Sequence, residues 1–131
     1  MSRIDEVLAE ARASYPRVSP AETARLLTEG ALVVDIRPRH NRAADGEIPG
    51  SVPVERIVLE WRLDPHGDHR LDGVTEDTVV IVLCNEGYAS SLAARDLRAL
   101  GLPRATDLTG GFRAWREAGL PVREGPTPAI T

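Results

Sequence analysis

One residue in this chain has side-chain chemistry that stands out by type and setting. Cys84 is the single cysteine among 131 residues, and it follows the apolar run Val79-Val80-Ile81-Val82-Leu83 directly. After it come Asn85, Glu86, Gly87, Tyr88, Ala89 and Ser90, a short polar stretch around one glycine. A thiol where a buried strand gives way to a loop and then a helix lies near unpaired backbone N–H groups and the positive end of the helix dipole. That setting favours the thiolate, the nucleophilic form of cysteine. Gly87 lets the loop curl so that several N–H groups face inward as a nest for an anion or a charged sulfur. Ser90 and Ser91 either cap the helix or point a hydroxyl into the same cradle. The plainer alternative is an inert cysteine buried at the end of a strand, a common fate of this residue.

A lone thiol also excludes chemistry. One chain offers no intramolecular disulfide, no cysteine zinc cage and no Cys-x-x-Cys redox pair. All 16 basic residues are arginine, so Schiff-base lysine chemistry and a P-loop lysine are absent, a bias that a GC-rich genome explains. Net charge is −4, and arginines alternate with carboxylates without a basic run, which argues against nucleic acid as a partner. The N-terminal Met1-Ser2-Arg3-Ile4-Asp5-Glu6 carries acids where a signal peptide is apolar. No apolar run approaches the ~20 residues that span a bilayer. The reading is a cytoplasmic protein without a membrane partner.

The elements that must position Cys84 follow from periodicity. Residues 3–14 place Ile4, Val7, Leu8 and Ala11 on one helical face. Ser19-Pro20-Ala21-Glu22 is a capping box with proline at the first helical position, and Gly30 closes the helix it opens. Strands are expected at 31–36, 78–83 and 105–108, the first two apolar on both faces as buried parallel strands are. Residues 37–51 read as loop, 52–54 as a short extended piece, 57–63 as a helix and 64–76 as turns. Further helices are expected at about 90–100 and, after the Gly110-Gly111 turn, at 112–118. Strands alternating with helices give an α/β domain on a small, mainly parallel sheet, with helices on both faces. Residues 1–18 read as a helical extension, 19–123 as the domain, and 124–131 as a tail that frays.

With these motifs in order, the chain resembles the rhodanese-like domain over roughly residues 19–123. The resemblance rests on LVVDIRP (32–38), GEIPGS (46–51), VIVLCNEGYASS (80–91) and LTGGFRAWREAGLPV (108–122). It implies a single-domain sulfurtransferase in which Cys84 accepts a sulfane sulfur as a persulfide, by covalent catalysis, and passes it to a thiol acceptor. The loop from Asn85 to Ser90 would stabilise the persulfide's charge, and no cofactor or metal is called for. Active members of the family have arginine one and five positions after the cysteine, where this chain has Asn85 and Ala89. The loop therefore lacks a bidentate grip on thiosulfate, and a small or protein persulfide is the expected donor. Arg37, Arg56 and Arg62 are candidates for a compensating cation, with Arg62 taken into the substrate site. The alternative function is a catalytically weak module that binds a protein partner or a small anion. Phosphatase chemistry is disfavoured, because related phosphatases carry arginine six positions after the cysteine, where this chain has Ser90.

The remaining polar residues read as structural. Asp35 is expected to hydrogen-bond the backbone that follows it, His66 and His69 to lie on a surface turn, and His40 in a solvated basic loop. Phe112 and Trp115 should anchor the last helix in the core. Tyr88 should stand exposed at the loop apex.

Overall fold

The computed structural model describes residues 1–131. Its centre is a sheet of four parallel strands in the order β2-β1-β3-β4. They are β1 (Leu32–Asp35), β2 (Val52–Pro53), β3 (Val80–Leu83) and β4 (Ala105–Asp107). The period of two along β1 and β3 sends alternate side chains to opposite faces. Val34, Val80 and Val82 meet Leu59, Leu63, Ala93 and Leu97 on one face. Val33, Ile81 and Leu83 meet Ile48, Phe112 and Trp115 on the other. Both layers are helical, which is why both strands carry apolar residues on both faces over Leu32–Val34 and Val80–Leu83. Helices α4 (Leu59–Leu63) and α5 (Ala89–Ala99) cover the first face. Helices α2 (Pro20–Thr28) and α6 (Gly111–Glu117) cover the second. The expected α/β fold, with helices on both faces of a parallel sheet, is the one observed.

Local signals set most boundaries. Helix α1 (Arg3–Ala13) opens with a capping box from Ser2 and Asp5, and α2 with the one expected from Ser19 and Glu22. Two expectations need correction. Residues 39–45 are not loop but helix α3 (Arg39–Asp45), which starts after Pro38 and stops at Gly46 with φ +87°. Its polar sequence hid it, because its buried residue is Arg42, neutralised by Glu47 at 2.8 Å. The tail, expected to fray, is hydrogen-bonded to the domain. Thr127 N–H and Oγ1–H donate to the Glu47 carboxylate at 3.0 and 2.6 Å. Ile130 exchanges backbone hydrogen bonds with Pro53 and Glu55, both 2.9 Å.

The first 18 residues carry the expected helix and pack on the domain. Helix α1 packs on α5, and the segment after it runs beside β4. There Val18 N–H donates to the Asp107 carbonyl and Thr109 N–H to the Val18 carbonyl. No helix is long and apolar enough to cross a membrane.

Candidate active site

Cys84 sits at the carboxyl end of β3, one of the two central strands, where parallel α/β sheets collect ligands. The chain turns back toward the sulfur because Gly87 takes φ +89°. Gly87 N–H and Ser90 N–H then donate to Cys84 Sγ at 3.2 and 3.4 Å. The N–H groups of Asn85, Glu86, Tyr88 and Ala89 make no hydrogen bond within the chain. Two amides of this turn thus face the sulfur, and four more in it have no partner within the chain.

The loop is anchored from the α6 side. Phe112 N–H donates to the Cys84 carbonyl at 2.9 Å and Arg113 N–H to that of Asn85 at 3.1 Å. These are unpaired amides of the first helical turn, used here to fix the loop. The approach requires glycine. A Cβ on Gly111, whose φ is +63°, would stand 2.5 Å from the Cys84 carbonyl oxygen.

Ser90 and Ser91 do not cap α5; they point behind the sulfur. The Cys84 thiol donates to Ser90 Oγ at 3.3 Å, and Ser90 spends its own proton on Asp107 Oδ2 at 2.8 Å. Asp107, fully buried in β4, also accepts from Ser91 Oγ (2.9 Å), from Tyr15 O–H (2.7 Å) and from both Nε and Nη2 of Arg17 (2.9 and 3.0 Å). Burial alone would raise its pKa, but the bonds from Arg17, Tyr15 and Ser90 outweigh it and hold the carboxylate below its ordinary value. Burial, reinforced by the Asp107 charge, pushes the Tyr15 phenol well above its own. Asp107 is thus an anion and Tyr15 a neutral donor across the working pH range.

A cavity of about 290 Å³ opens over the sulfur. Its floor is Cys84, Asn85, Glu86, Tyr88 and Ala89; its far wall is Ile36, Arg37, Pro38 and Arg56. Every arginine on that wall is already paired. Arg37 is buried against Asp35 at 2.7 Å and lies 4.0 Å over the Phe112 ring. Asp35 also accepts from Arg37 N–H, the backbone role expected of it. Arg56 pairs with Glu60 (2.8 Å) and Asp96 (3.5 Å). Glu86 leans to Arg113 at 3.3 Å with both side chains about half exposed, and Tyr88 stands 59% exposed at the apex.

Arg62 does not join the site. It is on α4, where Nη2 donates to the Thr131 carbonyl (2.8 Å) and Nη1 to that of His69 (3.0 Å), tying the chain terminus to a surface turn. The helix carrying it aims it away from the cavity that Arg56 lines.

The residues that sequence reasoning missed lie before residue 19. Arg12 Nη2 and Arg17 Nη2 both donate to the Gly87 carbonyl, at 2.6 and 3.0 Å. Arg12 Nε also donates to Ser91 Oγ at 3.0 Å. The available signal was Asp107 itself, a carboxylate inside a short strand, which requires a donor from somewhere.

The sequence model of the rhodanese-like domain matches residues 19–118. The thiosulfate sulfurtransferase GlpE of Ectopseudomonas mendocina (strain ymp) is 36% identical over 105 residues, covering 78% of this chain and 85% of its own length. A solved structure from Rhodopseudomonas palustris CGA009, a protein of unknown function described as a possible tyrosine phosphatase, superposes with a TM-score of 0.83. The two are 33% identical, and 94% of this chain covers 96% of that one. The polysulfide-sulfur transferase homodimer of Wolinella succinogenes superposes at 0.72 with 25% identity, over 94% of this chain and 91% of its own. The chain belongs to the rhodanese-like domain family, with single-domain sulfurtransferases as relatives over most of its length.

Proposed function

We propose that this rhodanese-type sulfurtransferase carries sulfane sulfur as a persulfide on Cys84 and passes it to a thiol acceptor. The observation that supports this most is a sulfur open to the cavity and faced by the Gly87 and Ser90 amides. In the loading step the Cys84 thiolate attacks the outer sulfur of a donor R–S–SH. The new Cys84 S–S bond forms as the donor's S–S bond breaks; the outer sulfur keeps its hydrogen and RS⁻ leaves. Discharge is the same displacement in reverse, with an acceptor thiolate attacking the outer sulfur and the Cys84 thiolate departing. Fixed N–H dipoles stabilise the negative charge that stays near Cys84 in both halves. With one cysteine in the chain, the acceptor must be another molecule.

The charges around the cavity favour a small or protein persulfide over thiosulfate. A dianion needs a guanidinium with uncompensated charge. Arg37 and Arg56 are both held by carboxylates, and Glu86 adds negative charge at the mouth. Phosphate-ester hydrolysis fits less well still. The loop supplies no arginine, and the Ser90 hydroxyl that occupies the clamp position is committed to Asp107.

The test is mass spectrometry of the protein after incubation with thiosulfate, with a glutathione-type persulfide and with a protein persulfide. A one-sulfur adduct on Cys84 is expected, formed faster from the persulfides, and Cys84→Ser should take none. An unmodified wild-type Cys84 with all three donors would sink the transferase reading in favour of a binding module.

A further inference from the structure

The geometry points to Arg12 as a positioning residue for the sulfur chemistry, supplying from α1 the positive charge that the cysteine loop lacks. This rests on the persulfide reading and says how the same site works. Arg12 and Arg17 converge on one acceptor, the Gly87 carbonyl. In a trans peptide the C=O and N–H point in opposite directions. Drawing the Gly87 carbonyl toward the two guanidinium groups therefore directs the Tyr88 N–H away from them, and that N–H has no partner in the chain. Donation to the carbonyl also polarises the peptide, which makes its N–H a stronger donor to an anion.

Charge compensation separates the two arginines. Arg17 is neutralised by a bidentate bond to Asp107. Arg12 bonds only neutral acceptors, the Gly87 carbonyl and Ser91 Oγ, and lies 5.5 Å over the Tyr88 ring. The other charges facing Cys84 are each held by an opposite charge: Arg37 by Asp35, Arg56 by Glu60 and Asp96, and Glu86 by Arg113. Tyr15 keeps its proton and adds none. Arg12 is thus the uncompensated cation behind the loop. It belongs to residues 1–18, ahead of the stretch that matches the family model, so it is not a shifted copy of a loop arginine.

The experiment compares wild type, Arg12→Gln and Arg12→Lys by two readouts. One is the pH profile of Cys84 alkylation by iodoacetamide, which involves no sulfur transfer. The other is the rate of persulfide loading at pH 7 from a glutathione-type persulfide. For Arg12→Gln the alkylation midpoint should move up by about half a pH unit and loading should fall roughly threefold or more, the size of a partly screened charge effect. Arg12→Lys, which keeps the charge and loses the forked geometry, should recover more than half of both. An Arg12→Gln profile that superimposes on wild type overturns the inference, as does a Lys variant impaired as much as Gln. If Arg12→Gln does not fold, Arg12→Lys decides alone: a midpoint near that of wild type supports the charge role, and one displaced by half a unit or more overturns it. A wild type that alkylates as expected but forms no persulfide would count against the transferase reading and leave the Arg12 result standing.

Discussion

Glu47→Gln should make the domain markedly less stable at neutral pH, and by an amount that disappears in acid. Glu47 is fully buried between α3 and the tail, with Arg42, Arg123 and Thr127 as donors at 2.6–3.1 Å. Burial would raise its pKa, but the bonds from Thr127, Arg42 and Arg123 overcome it and lower the value from 4.5 to about 2. A depressed carboxylate contributes stability that is complete above its unfolded pKa and lost as pH falls through the folded one. The window is therefore about pH 4.5 down to about 2. At about 1.4 kcal/mol per unit, the shift corresponds to about 3 kcal/mol of charge-dependent stability at pH 7. Glutamine has the shape of the protonated acid but cannot neutralise the buried Arg42. In urea the variant's midpoint should fall by roughly 1–3 M at pH 7, given usual slopes for small domains. As pH drops toward 2 the two proteins should converge to within about 1 kcal/mol. Asp107 is shifted in the same direction but is common to both, so it cancels in the difference. Parallel stability curves between pH 7 and pH 3 would refute the assignment of this ion cluster as charged and cooperative.

Two further substitutions probe the loop and its surroundings. Gly111→Ala forces a Cβ into the Cys84 carbonyl at a positive φ and should cost about 2–4 kcal/mol in urea unfolding while slowing Cys84 alkylation. A loss under 1 kcal/mol with unchanged reactivity would show that the close approach is not required. Arg62→Ala should leave persulfide loading unchanged and cost less than about 1 kcal/mol, because its partners are exposed backbone carbonyls. A tenfold slower loading rate would return Arg62 to the site.

Sequence alone carried the reading far where partners are close along the chain. The capping box at Ser19 lies within a turn of its helix, and β-branched runs mark β1 and β3. Cys84 at a strand end beside Gly87 foretold the amide cradle for the same reason: strand, turn and helix start are all within seven residues. Helix α3 was not legible, because its interior is an ion pair and polar residues carry no periodic apolar signal.

What the sequence determined, then, is the alternation of strands and helices, the place of the one thiol and the absence of any cation in its loop. Tertiary structure alone decided which cations serve that loop and what holds the tail. Arg12 and Gly87 are 75 residues apart, Arg17 and Asp107 are 90, and Glu47 and Thr127 are 80. Any exposed arginine looks alike in a list of residues. Only the packing of α1 against α5, and of the following segment along β4, turns Arg12 and Arg17 toward the cysteine while α4 carries Arg62 away. The physical reason is that local periodicity sets which face of an element is buried, whereas ion-pair partners depend on how finished elements dock.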